Sequence, residues 1–167
     1  MVTELHPPCA YLDIETTSLS PSDGELTVVG LYLDGGKTDS FVQLVGEEIS
    51  AKKLLEALKA VKVLYTYNGS RFDLPYIEAK LAVDLTKQCL HHDLMYDCWR
   101  RNLYGGLKEV ERQLGIERHS TGIDGFMAVR LWLNYKLYGD ESALLTLLGY
   151  NREDVLNLKV LRLKLKV

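Results

Sequence analysis

The stretch AYLDIETT, residues 10–17, decides the fold that the rest of the chain must fit. Its apolar residues form a short run without helical spacing and are followed by polar turn formers, a pattern typical of a strand buried on both faces. We therefore predict a central strand from Ala10 to Ile14. Because successive side chains of a strand alternate between faces, Asp13 and Glu15 point to one face while Ile14 points to the opposite, apolar one.

Further strands and a helix are predicted directly after this strand. Residues 26–33 (LTVVGLYL) and 38–44 (TDSFVQL) are strand candidates, and the turn segments PSDGE and DGGK separate them, so three successive strands predict a meander. Residues 50–61 (SAKKLLEALKAV) have leucines at helical spacing after Ser50, a favourable N-cap residue. Residues 62–67 (KVLYTY) predict a fourth strand.

The rest of the chain has mainly helical patterns. After a break at Asn68-Gly69 we predict a helix that opens at Ser70, with Pro75 in its first turn, and a short strand around residues 91–94. Helices are predicted over 94–103, 106–115, 126–139 and 142–161. The pattern of the last residues, LRLKLKV, fits either the end of a helix or an edge strand, and we favour the helix. This order predicts one α/β domain, residues 1–167, whose central mixed sheet is flanked by helices and whose C-terminal half is helical.

Composition limits the classes of function. The 167 residues are 47% hydrophobic and 26% charged, as in globular proteins and unlike disordered chains. The net charge of −3 gives no bulk attraction to nucleic acid, so a nucleic-acid role requires a local device. No apolar run approaches the ~20 residues that span a bilayer, and MVTELHPPCA at the start has no signal-peptide pattern, which predicts a soluble, cytoplasmic protein. The three cysteines, Cys9, Cys89 and Cys98, are odd in number and lack CxxC spacing, which predicts reduced and mostly buried thiols.

Three separate segments supply carboxylates. Asp13 and Glu15 project together from the end of the central strand, and Asp73 is expected in the first turn of a helix. Asp154 follows Tyr150 by four residues, which places both on one helix face. Taken singly, these acids suit a solvated strand end, a helix-dipole partner and an exposed polar stripe. Together they form the oxygen-rich set that Mg²⁺ or Mn²⁺ prefers, and two such ions about 3.5–4 Å apart can promote phosphoryl displacement.

Three motifs carry a resemblance to a known superfamily. The segments DIETT (13–17), YNGSRFDLPY (67–76) and YNRED (150–154) resemble, in order and spacing, the exonuclease motifs of the DEDD, or DnaQ-like, superfamily. GLKEVERQLGI (106–116), GIDGFMAVRLW (122–132) and YNREDVLNL (150–158) are similar to the YprB-type ribonuclease H-like family, so the resemblance covers almost the whole chain. The second motif is also similar to that of family-B polymerase proofreading domains. The resemblance implies a ribonuclease H-like fold and a two-metal 3′-to-5′ exonuclease that releases 5′-mononucleotides from single-stranded or frayed DNA or RNA ends.

The resemblance also implies roles for individual residues. It implies that Asp13, Glu15, Asp73 and Asp154 are the ligands of Mg²⁺ or Mn²⁺. With Tyr150 in the third motif and glycine before it, the chain resembles the tyrosine subtype, in which this residue holds the attacking water. An unperturbed phenol titrates near ~10, so we expect Tyr150 to orient the water rather than to remove its proton. The resemblance also implies that Thr16 and Leu19 line the terminal nucleotide and that Asn68 and Phe72 help to hold the substrate.

Several alternatives stay open from the sequence. A non-catalytic nucleic-acid-binding or scaffold domain of the same fold is the rival from another class, and the presence of all four acids argues against it. No motif decides between DNA and RNA, which depends on contacts near the 2′-hydroxyl. A partner protein or domain in replication, repair or RNA processing is also open.

Two further groups of residues received less specific predictions. Zinc ligation is disfavoured because the spacing matches no ordinary finger or ribbon; the candidate ligands are Cys89, His91, His92 and Cys98. The basic residues at 100–101, 112, 118–119 and 162–166 are expected on solvated helix faces.

Overall fold

A five-stranded mixed sheet organises the chain in the computed structural model, which describes residues 7–35 and 39–167. The strands are β1 (Cys9–Thr16), β2 (Leu26–Asp34), β3 (Ser40–Val45), β4 (Val63–Thr66) and β5 (Leu90–Asp93). Their order across the sheet is β3-β2-β1-β4-β5. The first three pair antiparallel, whereas β4 pairs parallel with both β1 and β5. The predicted meander and the central position of the first strand are therefore confirmed. The predicted start of the third strand at Thr38, and part of the DGGK turn before it, lie outside the described residues.

Six α-helices are present in the described part of the chain: α1 (Ala51–Leu58), α2 (Asp73–Leu81), α3 (Leu94–Arg100), α4 (Leu107–Leu114), α5 (Gly125–Tyr138) and α6 (Glu141–Leu165). Ser50 caps α1 as predicted, because its side chain accepts a hydrogen bond from the N–H of Lys53. Helix α6 continues to Leu165, so the helical interpretation of the C-terminal residues is confirmed. The mixed sheet with flanking helices also confirms the predicted α/β class.

The start of α2 differs from the prediction, because the helix begins at Asp73 rather than at Ser70. Asn68 has a left-handed conformation (φ 60°), and its carbonyl accepts the N–H groups of Arg71 and Phe72, which forms a turn before the helix. The hydroxyl of Ser70 donates to Asp93 Oδ2 at 2.7 Å instead of capping a helix. The Asp93 carboxylate, which is distant in sequence, thus binds the serine that the sequence pattern placed at the start of the helix.

The alternation of side chains along β1 divides the core into two sides. Ala10, Leu12 and Ile14 pack with α1 and α2, whereas Cys9 and Tyr11 pack with α3, α4 and α6. The acids of β1 share the parity of the second set and therefore face α6, as the strand pattern predicted. All three cysteines are buried free thiols, which confirms the prediction made from their spacing. Among the described residues, no helix combines the length and the hydropathy required to cross a bilayer.

Candidate active site

Three carboxylates from two elements meet at the end of β1. Asp13 and Glu15 project from the strand toward α6, and Asp154 projects from the middle of that helix. One carboxylate oxygen from each lies within 4.8 Å of the other two. The sequence prediction that these acids converge is consistent with this geometry.

Burial makes this cluster costly to ionise without a counter-charge. Glu15 is 7% exposed and Asp154 is 6% exposed. Burial, followed by the charge of Asp154, raises the pKa of both Asp13 and Glu15 well above the ordinary range. Burial also raises the pKa of Asp154, although the Arg118 guanidinium opposes this shift. Glu15 Oε1 is buried and has no hydrogen-bond partner among the described residues. An orphaned oxygen within an oxygen-rich cluster suits a hard divalent cation such as Mg²⁺ or Mn²⁺.

Asp73 lies beside this cluster but is not one of its three members. Its Oδ1 accepts the backbone N–H of Ile14 at 3.2 Å, between the two acids of β1. The pairing of β1 with β4 ends at Tyr11 and Tyr65, so a side chain from α2 takes the place of a neighbouring strand at this point. Burial raises the pKa of Asp73 to about 7, and its own backbone N–H and that of Ile14 oppose the rise. The charge of Asp73 in turn raises the pKa of Asp13 and of Glu15.

Tyr150 lies one helical turn before Asp154 and faces the same space. Together with Asp13 they line a cavity of about 230 Å³, whose other lining residues are Tyr67, Gly106, Leu107 and Lys108. Burial, together with the neighbouring acids, raises the pKa of the Tyr150 phenol, so the hydroxyl stays protonated at neutral pH. A larger depression of about 750 Å³ beside Trp132 is lined by none of the four candidate acids, so the smaller cavity is the candidate site.

Two cations flank the Tyr150 ring. Lys108 Nζ lies 4.7 Å from the ring centroid, and Arg118 Cζ lies 5.7 Å from it. Lys108 also donates to the carbonyl of Ile123, which fixes its ammonium group at the rim of the cavity. Lys108 thus supplies local positive charge at the cavity in a chain whose net charge is −3.

The predicted substrate contacts lie around the site but do not line the 230 Å³ cavity. The Thr16 hydroxyl donates to the carbonyl of Ser18 at 2.8 Å, within the loop after β1. Leu19 in the same loop is 86% exposed. Phe72 is partly buried, with its ring centroid 5.6 Å from that of Tyr76, and Asn68 occupies the turn before α2. Their roles toward a substrate stay predictions.

The prediction of a solvated surface is wrong for Arg118. Its side chain is 12% exposed and binds Glu111, which is fully buried, through Nη1 at 2.9 and 2.7 Å. Its Nη2 donates to Asp154 Oδ1 at 2.5 Å. A completely buried carboxylate needs a paired cation, and Arg118 supplies it from the loop after α4. No spacing in the sequence indicated this contact, because the two partners of Arg118 belong to different helices.

Two further residues were missed by the sequence analysis. Asp93 accepts the backbone N–H of Asn68 through Oδ1 at 2.8 Å and that of Ser70 through Oδ2 at 3.0 Å, so it holds the turn before α2. Asn151 donates from Nδ2 to Asp13 Oδ2 at 3.1 Å. A polar residue inside an apolar helical stripe was the available signal for Asn151.

The four candidate zinc ligands do not converge. His91 Nε2 shares a hydrogen bond with the Thr66 hydroxyl at 2.8 Å, and His92 Nε2 pairs with Asp97 at 2.6 Å. Cys89 donates its thiol to the carbonyl of Leu85. Within residues 7–35 and 39–167, the only group of three or more acids, histidines or cysteines with metal-like spacing is the Asp13, Glu15 and Asp154 cluster.

Comparison with known proteins relates the chain to two DNA polymerases. A DNA polymerase of Methanocaldococcus jannaschii is 50% identical over 32 residues, which are 19% of this chain and 2% of the polymerase. The structure of the family B DNA polymerase from Pyrobaculum calidifontis is similar with a TM-score of 0.74 and 18% identity, over 96% of this chain and 25% of the polymerase chain. The chain therefore spans only a small part of the polymerases that it matches.

Two smaller proteins have the same fold over most of their length. A nuclease solved in its apo form is similar with a TM-score of 0.62 and 22% identity, over 95% of this chain and 71% of the nuclease chain. NrnC from Brucella melitensis is similar with a TM-score of 0.61 and 20% identity, over 99% of this chain and 75% of the NrnC chain. NrnC has also been solved bound to pGG, with a TM-score of 0.60, 18% identity and coverage of 99% of this chain and 76% of that one. A further NrnC structure with bound Mg²⁺ has a TM-score of 0.51 and 18% identity, over 99% of this chain and 87% of that one.

The family is decided by a sequence profile rather than by these distant structures. The profile of the RNase H superfamily matches residues 10–166, from the first residues of β1 to the end of α6. The match includes both elements that supply the acidic cluster. The chain therefore belongs to the RNase H superfamily.

Proposed function

We propose that this protein is a metal-dependent 3′-to-5′ exonuclease of the DEDD type that removes 5′-mononucleotides from single-stranded nucleic acid ends. The observation that carries the proposal is the convergence of Asp13, Glu15 and Asp154 oxygens within 4.8 Å, beside Tyr150, on an RNase H superfamily fold. The similar structures support it, since they are those of a nuclease, a DNA polymerase and NrnC, which has been solved with pGG and with Mg²⁺.

The acids of the cluster are the proposed ligands of the metal. Asp13, Glu15 and Asp154 would bind Mg²⁺ or Mn²⁺, and Asp73 would complete the set from the start of α2, where it accepts the Ile14 N–H. Two ions held by these residues would lower the pKa of a water nucleophile and stabilise the charge on the leaving oxygen of a phosphodiester. The Ile14 N–H fixes one oxygen of Asp73 and thereby orients its carboxylate.

Tyr150 is the proposed orienting residue. Its raised pKa keeps the phenol protonated, so the hydroxyl acts as a hydrogen-bond donor and does not accept a proton from water. Placed one turn from Asp154 and in the same cavity, this donor can hold the water or a phosphate oxygen in line for attack. The tyrosine subtype is therefore part of the proposal.

The ammonium group of Lys108, next to the Tyr150 ring, provides the local positive charge that the bulk composition lacks. Lys108 lines the cavity directly, and its ammonium group would attract the phosphate next to the scissile bond. Thr16 and Leu19 after β1, and Asn68 and Phe72 before α2, would contact the terminal nucleotides around this phosphate. The exposed Leu19 offers an apolar surface to a base.

The biological setting of the activity is also a proposal. The chain covers 25% of the polymerase chain and 75% of the NrnC chain, so its relatives include both a part of a larger enzyme and a protein of similar size. We propose that the nuclease acts in the cytoplasm on DNA or RNA 3′ ends, with a partner protein in replication, repair or RNA processing.

Digestion of matched 5′-labelled single strands tests the proposal. DNA and RNA of one sequence, each with a free or blocked 3′ end, are incubated with the protein in Mg²⁺, Mn²⁺ or EDTA. We expect stepwise shortening of the free-ended strands with either metal and none in EDTA. The Asp154→Asn variant should lose about a hundredfold or more in rate, whereas Asp23→Asn, a change of the same kind at an exposed position, should cut normally.

A second pair of variants tests the role of the phenol. Tyr150→Phe removes only the hydroxyl and should slow cleavage by about a hundredfold, while Tyr138→Phe at an exposed site of α5 should have no effect. Internal cuts in strands with blocked ends would show endonuclease action and would contradict the exonuclease proposal. Failure of the folded, strand-binding wild type to cut with either metal would replace the proposal with the non-catalytic binding domain.

A further inference from the structure

A row of three residues crosses the sheet beside the acidic cluster. Asp13 on β1 pairs in register with Gly30 on β2, and Gly30 pairs with Gln43 on β3. Residues in register across adjacent strands present their side chains to the same face, which here is the face covered by α6. The middle position of the row has no side chain, so it leaves a slot between Gln43 and Asp13.

Asn151 from α6 fills that slot. It is fully buried, and a Cβ placed on Gly30 would lie 2.2 Å from its Oδ1 and 2.9 Å from Val155 Cγ2. Any side chain at Gly30 would thus displace the asparagine. The glycine is explained by this close approach of a helix side chain to the strand backbone.

Hydrogen bonds to Leu148 and to Asp13 fix the orientation of the side-chain amides of Gln43 and Asn151. Gln43 Nε2 donates to the carbonyl of Leu148 at 2.9 Å, and because a carbonyl can only accept, this nitrogen must face α6. The same Nε2 donates to Asn151 Oδ1 at 2.9 Å. Asn151 therefore turns its Nδ2 toward Asp13, where it donates to the backbone carbonyl at 3.2 Å and to Oδ2 at 3.1 Å.

We propose that Asn151 is a positioning residue for the metal ligand Asp13 and that Gln43 sets its orientation. The inference rests on the proposed function, since it assigns the residues that prepare one ligand of that same site. By donating to Oδ2, Asn151 fixes the rotation of the Asp13 carboxylate. Hydrogen bonds to a ligating carboxylate orient it and tune the metal affinity, and their loss typically costs about 10- to 100-fold.

Gln43→Glu provides a test that does not touch the acids. The substitution keeps the shape of the side chain, but an ionised carboxylate cannot donate to Leu148 or to Asn151. Asn151 then gains by turning its Nδ2 toward the new carboxylate, which presents its carbonyl oxygen to Asp13 and removes the donor. A negative charge added near a cation site would by itself strengthen cation binding. The positioning role predicts the opposite sign, so the two effects are separable.

Calorimetric titration of the metal-free protein with Mn²⁺ alone gives the readout. We expect the Mn²⁺ dissociation constant to rise about tenfold in Gln43→Glu and about 10- to 100-fold in Asn151→Ala. Gln88→Glu adds the same charge at an exposed position and should leave the constant unchanged. In single-strand digestion, Gln43→Glu should lower kcat at limiting Mn²⁺ with little change in KM, and excess Mn²⁺ should restore kcat.

The outcomes separate this inference from the proposed function. Mn²⁺ binding within twofold of wild type in both folded variants, or tighter binding in Gln43→Glu, would overturn the positioning role while leaving the exonuclease proposal intact. A wild-type protein that binds no Mn²⁺ would overturn both. Should Asn151→Ala fail to fold, Gln43→Glu decides by itself, because Gln43 lies partly exposed on the edge strand β3.

Discussion

The metal-free protein should become more stable when Asp73 is replaced by asparagine. Asp73 is 4% exposed, and burial raises the pKa of its carboxyl to about 7. Asp73→Asn keeps a carbonyl oxygen in the position that accepts the Ile14 N–H, and it removes the ionisable group. The variant therefore preserves the link between α2 and β1 while it eliminates a buried charge that the folded chain accommodates poorly without a cation.

The pH dependence of this gain follows from the direction of the pKa shift. In the unfolded chain the carboxyl titrates near ~3.9, about three units below its value in the folded protein. A raised folded-state pKa means that stability is highest below about pH 4 and is lost as pH rises toward 7. This carboxyl therefore lowers the free energy of unfolding of the wild type by roughly 4 kcal/mol over this interval, at ~1.36 kcal/mol per pKa unit. With ~2–4 °C per kcal/mol for a domain of this size, Asp73→Asn should melt roughly 10 °C higher at pH 8.

Thermal melts in EDTA at pH 4, 6 and 8 measure the effect. The difference between Asp73→Asn and wild type should be near zero at pH 4, grow through pH 6 and level off above pH 7. Asp23→Asn, at an exposed site, should follow the wild type at every pH. Mn²⁺ should then stabilise the wild type more than the variant. A variant that is less stable than wild type at pH 8, or a gain independent of pH, would refute the reasoning.

Three further predictions concern packing, a buried ion pair and the thiols. Gly30→Ala should lower the free energy of unfolding by about 1–3 kcal/mol in urea titrations, because its Cβ would overlap Asn151. A Cβ at Gly149 in α6 would meet no atom within 4 Å, so Gly149→Ala should instead raise the free energy of unfolding by about 0.5–1 kcal/mol. Arg118→Met should destabilise the protein by about 3–5 kcal/mol in the same assay, since it leaves Glu111 buried without its cation, and adding Glu111→Gln should recover part of the loss. Iodoacetamide at pH 8 should leave the three cysteines of the native protein unmodified, because burial raises the pKa of each thiol, whereas denatured protein should react at all three.

The start of α2 and the environment of Arg118 mark the limits of sequence-based prediction in this chain. The pattern after Asn68 allowed a helix from Ser70, but the carboxylate of Asp93, 23 residues away, takes the backbone N–H and the hydroxyl of that serine. Arg118 resembled other surface cations in the sequence, yet its partner Asp154 is 36 residues away. Both errors arose where a contact between separate elements outweighed a local preference.

The sequence by itself determined the features that depend on the geometry of one element. The period of two along β1 placed Asp13 and Glu15 on one face, and the helical period placed Tyr150 one turn before Asp154. These relations hold in any fold that contains the strand and the helix, because they follow from backbone geometry alone.

Tertiary structure alone decided which side chains form hydrogen bonds with the acids and orient them. The Asn151 amide reaches Asp13 across 138 residues of sequence, and Gln43 orients that amide across 108. These contacts exist only because α6 crosses the sheet at the position where Gly30 has no side chain. Their energies depend on distances between elements that are set by the packing of the whole core, so no local pattern in the sequence encodes them.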